Sequence, residues 1–180
     1  MVYKRKDDIA TAKGEWGTPV PLFNLLNAEY GPFEIDLAAS EENTKCDSYF
    51  DKEVDSLKVE WRKFKTAFLN PDHSKGVIDA FMEKCRDETR GRGLRIVTLI
   101  PLAAETGWFQ ANVMKAAEIR FISGRVNYVG KRKDGSVVTQ SPPFTSCIAI
   151  FDKSLEQFGG RPVLGPTIEQ TWKRGRDRDV

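Results

Sequence analysis

"TAFLNPDHSKGVIDAFMEKCRDETRGRGLRIVTLIP", residues 66–101, decides the fold. Thr66, Ala67, Phe68 and Leu69 suit a buried pleated strand. Asn70-Pro71 ends it, because proline has no N–H to give to the ladder. Val77, Ile78, Phe81, Met82 and Cys85 then recur at helical spacing, as in an amphipathic helix packed on a sheet. "RIVTLIP", 95–101, is a second buried strand, rich in β-branched residues and closed by proline. Strand, long helix and strand in this order imply an α/β sandwich with a mainly parallel sheet.

The flanking sequence repeats the alternation. In "WGTPVPLFNLLNAEYG" Thr18 is the expected cap and Pro19 fits the first turn. Leu22, Leu25, Leu26 and Tyr30 share one face before Gly31 ends the helix. "PFEIDLAAS" reads as a strand over 33–37 that breaks into a turn of small residues. Residues 42–61 are mixed and polar, a short helix and a loop. "ETGWFQANVMKAA", 105–117, reads as a helix, and "EIRFISGRVNYV" begins with a strand. Residues 130–140 form a hairpin or loop, and "TSCIAIF", 145–151, is the last core strand. The expected organisation is a flexible segment over 1–15, a domain over 16–158 and a basic, extended tail over 159–180. Ligands of such sheets bind outside the carboxyl ends of the strands. That rule selects three loops, "DLAAS", "NPDHS" and "PLAAET".

Bulk properties narrow the class. A chain of 180 residues can bury a real core within one domain. It is 40% apolar and 30% charged, and no run approaches the roughly 18 apolar residues of a membrane span. The basic N-terminus has no apolar stretch behind it, so no secretory signal is expected. The three cysteines are far apart with no C-x-x-C pair, so neither zinc site nor disulfide framework is indicated, and a reducing cytoplasm is expected. The net charge of +2 is small, yet "YKRK", "GKRKDG" and "KRGRDR" are basic patches suited to meeting phosphates. Each is equally readable as a solvated loop.

Taken together, "EWGTPVPLFNLLNAEYGPFEIDLAASEENTKCDSYF", "AFLNPDHS", "VTLIPLAAETGWF", "AEIRFISGRVNY" and "PPFTSCIAIF" resemble the phage-type, Dam-like DNA adenine-N6 methyltransferase family. The resemblance spans residues 15–151 and rests on the order and spacing of these segments. It implies a class I S-adenosylmethionine-dependent methyltransferase fold, Rossmann-like, acting on double-stranded DNA in the cytoplasm of a bacterial host without a metal. The family's catalytic element is Asn-Pro-Pro-Tyr or a variant, and its place is held here by Asn70, Pro71, Asp72 and His73. An adenine amino nitrogen is a poor nucleophile, its lone pair being delocalised into the ring. An Asn side-chain oxygen and a Pro carbonyl accept its N–H bonds and aim the lone pair at the methyl group. The aromatic ring stacks on the extruded base. Histidine offers less area than tyrosine, and Asp72 puts a carboxylate where the family has an apolar ring.

The resemblance also implies cofactor residues. Trp16, Gly17, Thr18 and Pro19 match the family's N-terminal motif, which lies against the cofactor. Asp36, Ala38 and Ala39 stand where relatives have a glycine-rich cofactor loop, with Asn43 and Asp55 as further contacts. Asp36 is also readable as a cap at a strand end, and Trp16 as a core residue. No separate target-recognition domain is expected, so recognition is expected from residues 127–144 and the tail. Lys131, Arg132 and Lys133 there are the expected DNA contacts.

Other readings compete for these residues. "SPPF", 141–144, is by spelling closer to an amino-methyltransferase signature than "NPDH" is, but no helix follows it, which marks it as structural. A metal-dependent nuclease would need an acidic residue followed two positions later by lysine, and Glu118-Ile119-Arg120 ends in arginine. The rival from another class is a methyltransferase-like module that binds cofactor or DNA without transferring methyl groups. N4-methylation of cytosine would share the same exocyclic amino chemistry.

Overall fold

A computed structural model of the chain describes residues 16–91, 93–155 and 162–172. In chain order they form α1 (Val20–Tyr30), β1 (Ile35–Asp36), β2 (Thr66–Leu69), α2 (Val77–Glu88) and β3 (Arg95–Pro101). There follow α3 (Gly107–Ala111), β4 (Glu118–Phe121), β5 (Tyr128–Lys131), β6 (Val137–Gln140), β7 (Ser146–Asp152) and β8 (Val163–Leu164). The expected strand–helix–strand unit is β2–α2–β3, and β2 pairs in parallel with β3, Thr66 opposite Arg95 through Leu69 opposite Thr98.

The central sheet has six strands in the order β1-β2-β3-β7-β4-β8. All run in one direction except β7, which is antiparallel to both its neighbours. Connectivity explains the reversal. A parallel neighbour needs a long crossover, usually helical. After β4 the chain instead makes the separate β5–β6 hairpin and re-enters the sheet from the same end. The result is a mixed α/β domain with a mainly parallel sheet.

Alternation along the strands builds two cores. Ala67, Leu69, Ile96, Ile100, Cys147, Ala149 and Phe151 join Ile78, Phe81, Met82 and Cys85 of α2 on one side. Phe68, Val97, Leu99, Ile148 and Ile150 meet Leu22, Phe23 and Leu26 of α1 on the other. This is the period of two expected for strands buried on both faces. The ring of Phe68 packs edge-on to Phe23 at 5.2 Å and lies 5.7 Å from Phe33.

Several expectations are corrected. Thr18 does not cap α1: its Oγ1 is buried with no hydrogen-bond partner, and the first helical bond runs from the Phe23 N–H to the Pro19 carbonyl at 3.0 Å. The helix expected over 105–117 stops at Ala111 and gives way to a single 3-10 turn at Val113–Lys115. Asn112 interrupts it, its side-chain oxygen accepting a 2.8 Å bond from Arg86 of α2. Residues 162–172, assigned from sequence to a tail, belong to the folded unit. β8 pairs with β4, Ile168 sits in the α1-side core, and Gln170 donates to the Ser123 carbonyl at 2.6 Å. Arg120 holds this segment down, donating to the Pro166 carbonyl at 2.8 Å while paired with Glu29 and Tyr30 of α1. The expected segment 1–15 and residues 159–161 and 173–180 of the expected tail lie outside the described residues.

No helix among the described residues is long and apolar enough to cross a membrane. Phe68 carries the packing of β2 against α1, so Phe68→Ala is expected to cost about 3–5 kcal/mol. Urea unfolding followed by circular dichroism measures it.

Candidate active site

Two adjoining cavities open at the carboxyl ends of β1 and β2. The first, of about 370 Å³, is lined by Asn70, Pro71, Asp72 and His73 together with Trp16, Tyr128, Gln140, Pro142, Pro143 and Phe144. The second, of about 510 Å³, is lined by Ala38, Ala39 and Asn43 from the loop after β1 and by Asp51, Glu53 and Asp55. Phe50, Leu57, Val77 and Phe81 give it apolar walls. Asp72 lines both cavities.

Asn70 leaves the end of β2 with its side chain oriented. Its amide nitrogen donates to the Trp16 carbonyl at 3.0 Å, which leaves the amide oxygen as the acceptor at the first cavity. Trp16 is held in turn by its neighbour. Gly17 exchanges two backbone bonds with Val129 of β5, at 2.7 and 2.9 Å, so the N-terminal motif is tied to the hairpin. Asp72 closes a tight turn into α2, its Oδ1 accepting from the Ser74 N–H at 2.9 Å and from the Ser74 hydroxyl at 2.7 Å.

His73 is wedged between two rings, edge-on to Tyr128 at 6.1 Å and to Phe144 at 5.7 Å. Its Nε2 is buried without a partner. Burial pushes its pKa down to about 4, against weaker upward pulls from the Leu99 backbone and Asp72. The ring is therefore neutral at pH 7.

The structure distributes the expected cofactor residues unevenly. Ala38, Ala39, Asn43 and Asp55 all line the second cavity. Asn43 accepts the Ser40 N–H at 2.8 Å, and Asp55 pairs with the exposed Lys58 at 2.8 Å. Asp36 lines neither cavity. It is buried behind the loop, accepts the Ala38 N–H at 3.3 Å, and is pushed up to about 6 by burial. Trp16 faces the first cavity. Gly17 lies beside Asn43, whose Cβ stands 3.5 Å from where a Gly17 Cβ would be, while Thr18 and Pro19 are buried.

Of the three loops that the strand-end rule selected, two line the cavities and the third does not. "PLAAET" turns inward on itself: Thr106 Oγ1 donates to the Ala103 carbonyl and Gln110 to that of Ala104. Its place is taken by "SPPF". Because β7 runs against the sheet, the loop entering it emerges at the ligand end, where Ser146 pairs with Pro101. Pro142, Pro143 and Phe144 thereby face the cavity of Asn70, although no helix follows them. The proline-aromatic spelling was the available signal, but only the antiparallel pairing locates it. Lys131, Arg132 and Lys133 lie at the turn of the β5–β6 hairpin, closed by the Arg132 N–H to Ser136 carbonyl bond at 2.9 Å.

A testable pH dependence follows. The folded-state pKa of His73 lies below its ordinary value of 6.5, so the unfolded chain takes up a proton first as pH falls. His73 therefore withdraws stability between about pH 6.5 and 4, whereas Asp36, shifted upward, acts in the opposite sense. The stability of His73→Phe relative to wild type is expected to increase on going from pH 7 to pH 5, as read from urea midpoints at the two pH values.

The family model for DNA N-6-adenine-methyltransferase (Dam) matches residues 7–169. A DNA N-6-adenine-methyltransferase of Escherichia phage T1 is 33% identical over 120 residues, 67% of this chain and 49% of the relative. One from Haemophilus phage HP1 is 26% identical over 112 residues, 62% of this chain and 63% of the relative. The chain thus matches about half to under two thirds of the length of these relatives. With most of its own residues inside the family model, the chain belongs to the DNA N-6-adenine-methyltransferase (Dam) family.

Proposed function

We propose that this protein transfers a methyl group from S-adenosylmethionine to the N6 amino group of adenine in DNA, on a class I, Rossmann-like methyltransferase sandwich. The observation that carries the reading is the pairing of Asn70, at the carboxyl end of β2, with a second cavity built on Ala38 and Ala39.

The donor cavity fits the cofactor by its chemistry. Small side chains at Ala38 and Ala39 let a ligand approach the backbone, and Asp51, Glu53 and Asp55 suit the cationic groups and ribose hydroxyls of S-adenosylmethionine. Its volume of about 510 Å³ lies within the range of small-molecule sites. When bound, the cofactor supplies an electrophilic methyl group on a positively charged sulfur. Asp36 supports this cavity from behind by holding the Ala38 N–H, and Gly17 from the side through Asn43.

The first cavity receives the extruded adenine. The Asn70 oxygen and the Pro71 carbonyl accept the two N–H bonds of the amino group, which localises its lone pair on nitrogen. The Trp16 carbonyl keeps the amide from turning its donor side towards the base. Phe144 and Tyr128 supply the aromatic walls, and neutral His73 backs them from below. Lys131, Arg132 and Lys133, on the hairpin that forms one wall, meet DNA phosphates and position the duplex without reading its sequence.

A binding module without transfer is the second reading. It is favoured by the engagement of Asp72 in its own turn, where the family places an apolar ring. Sequencing DNA from cells that express the protein, by a method that detects modified adenines, separates the two. Modified adenine at a recurrent motif establishes transfer; its absence from cells containing the folded protein refutes it.

Asn70→Ala is expected to lower the transfer rate by roughly 100- to 1,000-fold, the scale for losing one preorganised polar contact to the reacting group. Cofactor binding by calorimetry should be unchanged. Phe144→Ala should cost roughly tenfold, from stacking worth about 1–3 kcal/mol per base. Ser141→Ala, whose hydroxyl only bonds Asn127, should transfer at the wild-type rate. Radiolabelled methyl transfer to unmethylated DNA measures all three.

A further inference from the structure

Asp72 is the one described residue that lines both cavities. Its Oδ1 is committed to Ser74, whose N–H and hydroxyl lie at 2.9 and 2.7 Å, and this turn fixes the orientation of the carboxylate. Its Oδ2 takes no part in those bonds. The charged and titratable side chains that line the cavities with it are His73, Lys75 and Tyr128 in the first and Asp51, Lys52, Glu53 and Asp55 in the second. His73 is neutral at pH 7.

Methyl transfer moves a positive charge across this wall. The amino nitrogen forms a bond to the methyl carbon as the sulfur–methyl bond breaks, and that bond's electron pair stays on sulfur. The sulfur loses its charge. The nitrogen gains it and must then shed one proton. A carboxylate on the residue shared by both cavities is placed to meet the charge at the start and at the end. We propose that Asp72 is the charge-following carboxylate of the reaction: it faces the cationic sulfur in the donor cavity and takes the proton released by the adenine amino group. The proton passes from Asp72 to solvent through the open cavity. This role rests on the methyl transfer proposed above, and it gives Asp72 a function that the Pro of the family's Asn-Pro-Pro-Tyr motif could not perform.

The test separates charge from turn geometry. Asp72→Asn keeps an oxygen for Ser74 but removes the charge, whereas Asp72→Glu keeps the charge. Calorimetry on the full chain gives the affinity for S-adenosylmethionine relative to S-adenosylhomocysteine, which differ in the charge on sulfur. The preference for the cation is expected to fall roughly tenfold or more in Asp72→Asn, the scale on which a facing opposite charge shifts an ionisation equilibrium. Asp72→Glu should recover part of it. Single-turnover methylation by Asp72→Asn should fall roughly 100-fold, the lower range for a lost general base. Should Asp72→Asn not fold, Asp72→Ser, which also retains a hydrogen-bonding oxygen, carries the same expectations. An unchanged cation preference overturns the proposal whatever the rate does, and an unchanged rate overturns the proton-accepting role. If the wild type binds cofactor but methylates nothing, the proposed function fails, while the affinity ratio still decides whether Asp72 faces the sulfur.

Discussion

The antiparallel ladder between β3 and β7 is the constraint on which the rest of this structure depends. It runs the full length of both strands, from Arg95 opposite Asp152 to Pro101 opposite Ser146. Every residue of β7 is buried, and Ile96 to Ile100 are buried on β3. Thr98, in the middle, satisfies its hydroxyl on the Ala149 carbonyl at 3.1 Å. Arg95 and Asp152 close the far end with a 2.7 Å ion pair. Buried backbone groups must be paired, so a ladder sealed on both faces has little freedom to slip. Its register sets the heights of the parallel half, β1 and β2, and of the β4–β8 edge.

That register also assembles the site. β2 delivers Asn70 and Pro71 to one end of the sheet by running parallel to β3, and β7 delivers Phe144 to the same end by running against it. Two segments separated by about seventy residues in sequence thus form one cavity, with Tyr128 of the hairpin between them. The aromatic surface that the Asn-Pro-Asp-His spelling withdraws from its own loop is present in space, on Phe144. His73 lines the same cavity, its ring edge-on to Tyr128 and Phe144 and kept uncharged by burial.

The same logic explains the second cavity. The loop after β1 carries small residues that let a ligand approach, but its shape is maintained from behind. Asp36 holds Ala38, and Lys45 reaches the Asn43 carbonyl at 2.7 Å while its charge offsets part of the burial of Asp36. A residue singled out for ligand contact is here a support for the residues that line the cavity. Trp16, expected against the cofactor, lines the first cavity, and its carbonyl orients the Asn70 amide.

Much of this was determined by the sequence alone. Apolar spacing placed α1, α2, β2, β3 and β7, since burial on one stripe or on both faces leaves a local periodic record. Asn70 and Pro71 were legible because proline terminates a strand wherever it falls, and Ala38 and Ala39 because small residues past a strand end mark close approach. The tertiary structure decided what no local pattern encodes. It chose the reversed direction of β7, which turns the loop before that strand into a wall of the cavity. It broke the helix at Asn112 through a contact with Arg86, and it bound residues 162–172 to β4 through Arg120. Above all it put Asp72 on the boundary of two cavities. Strand direction and side-chain position at a shared wall arise from contacts between distant segments, and such contacts leave no periodicity in the chain that makes them.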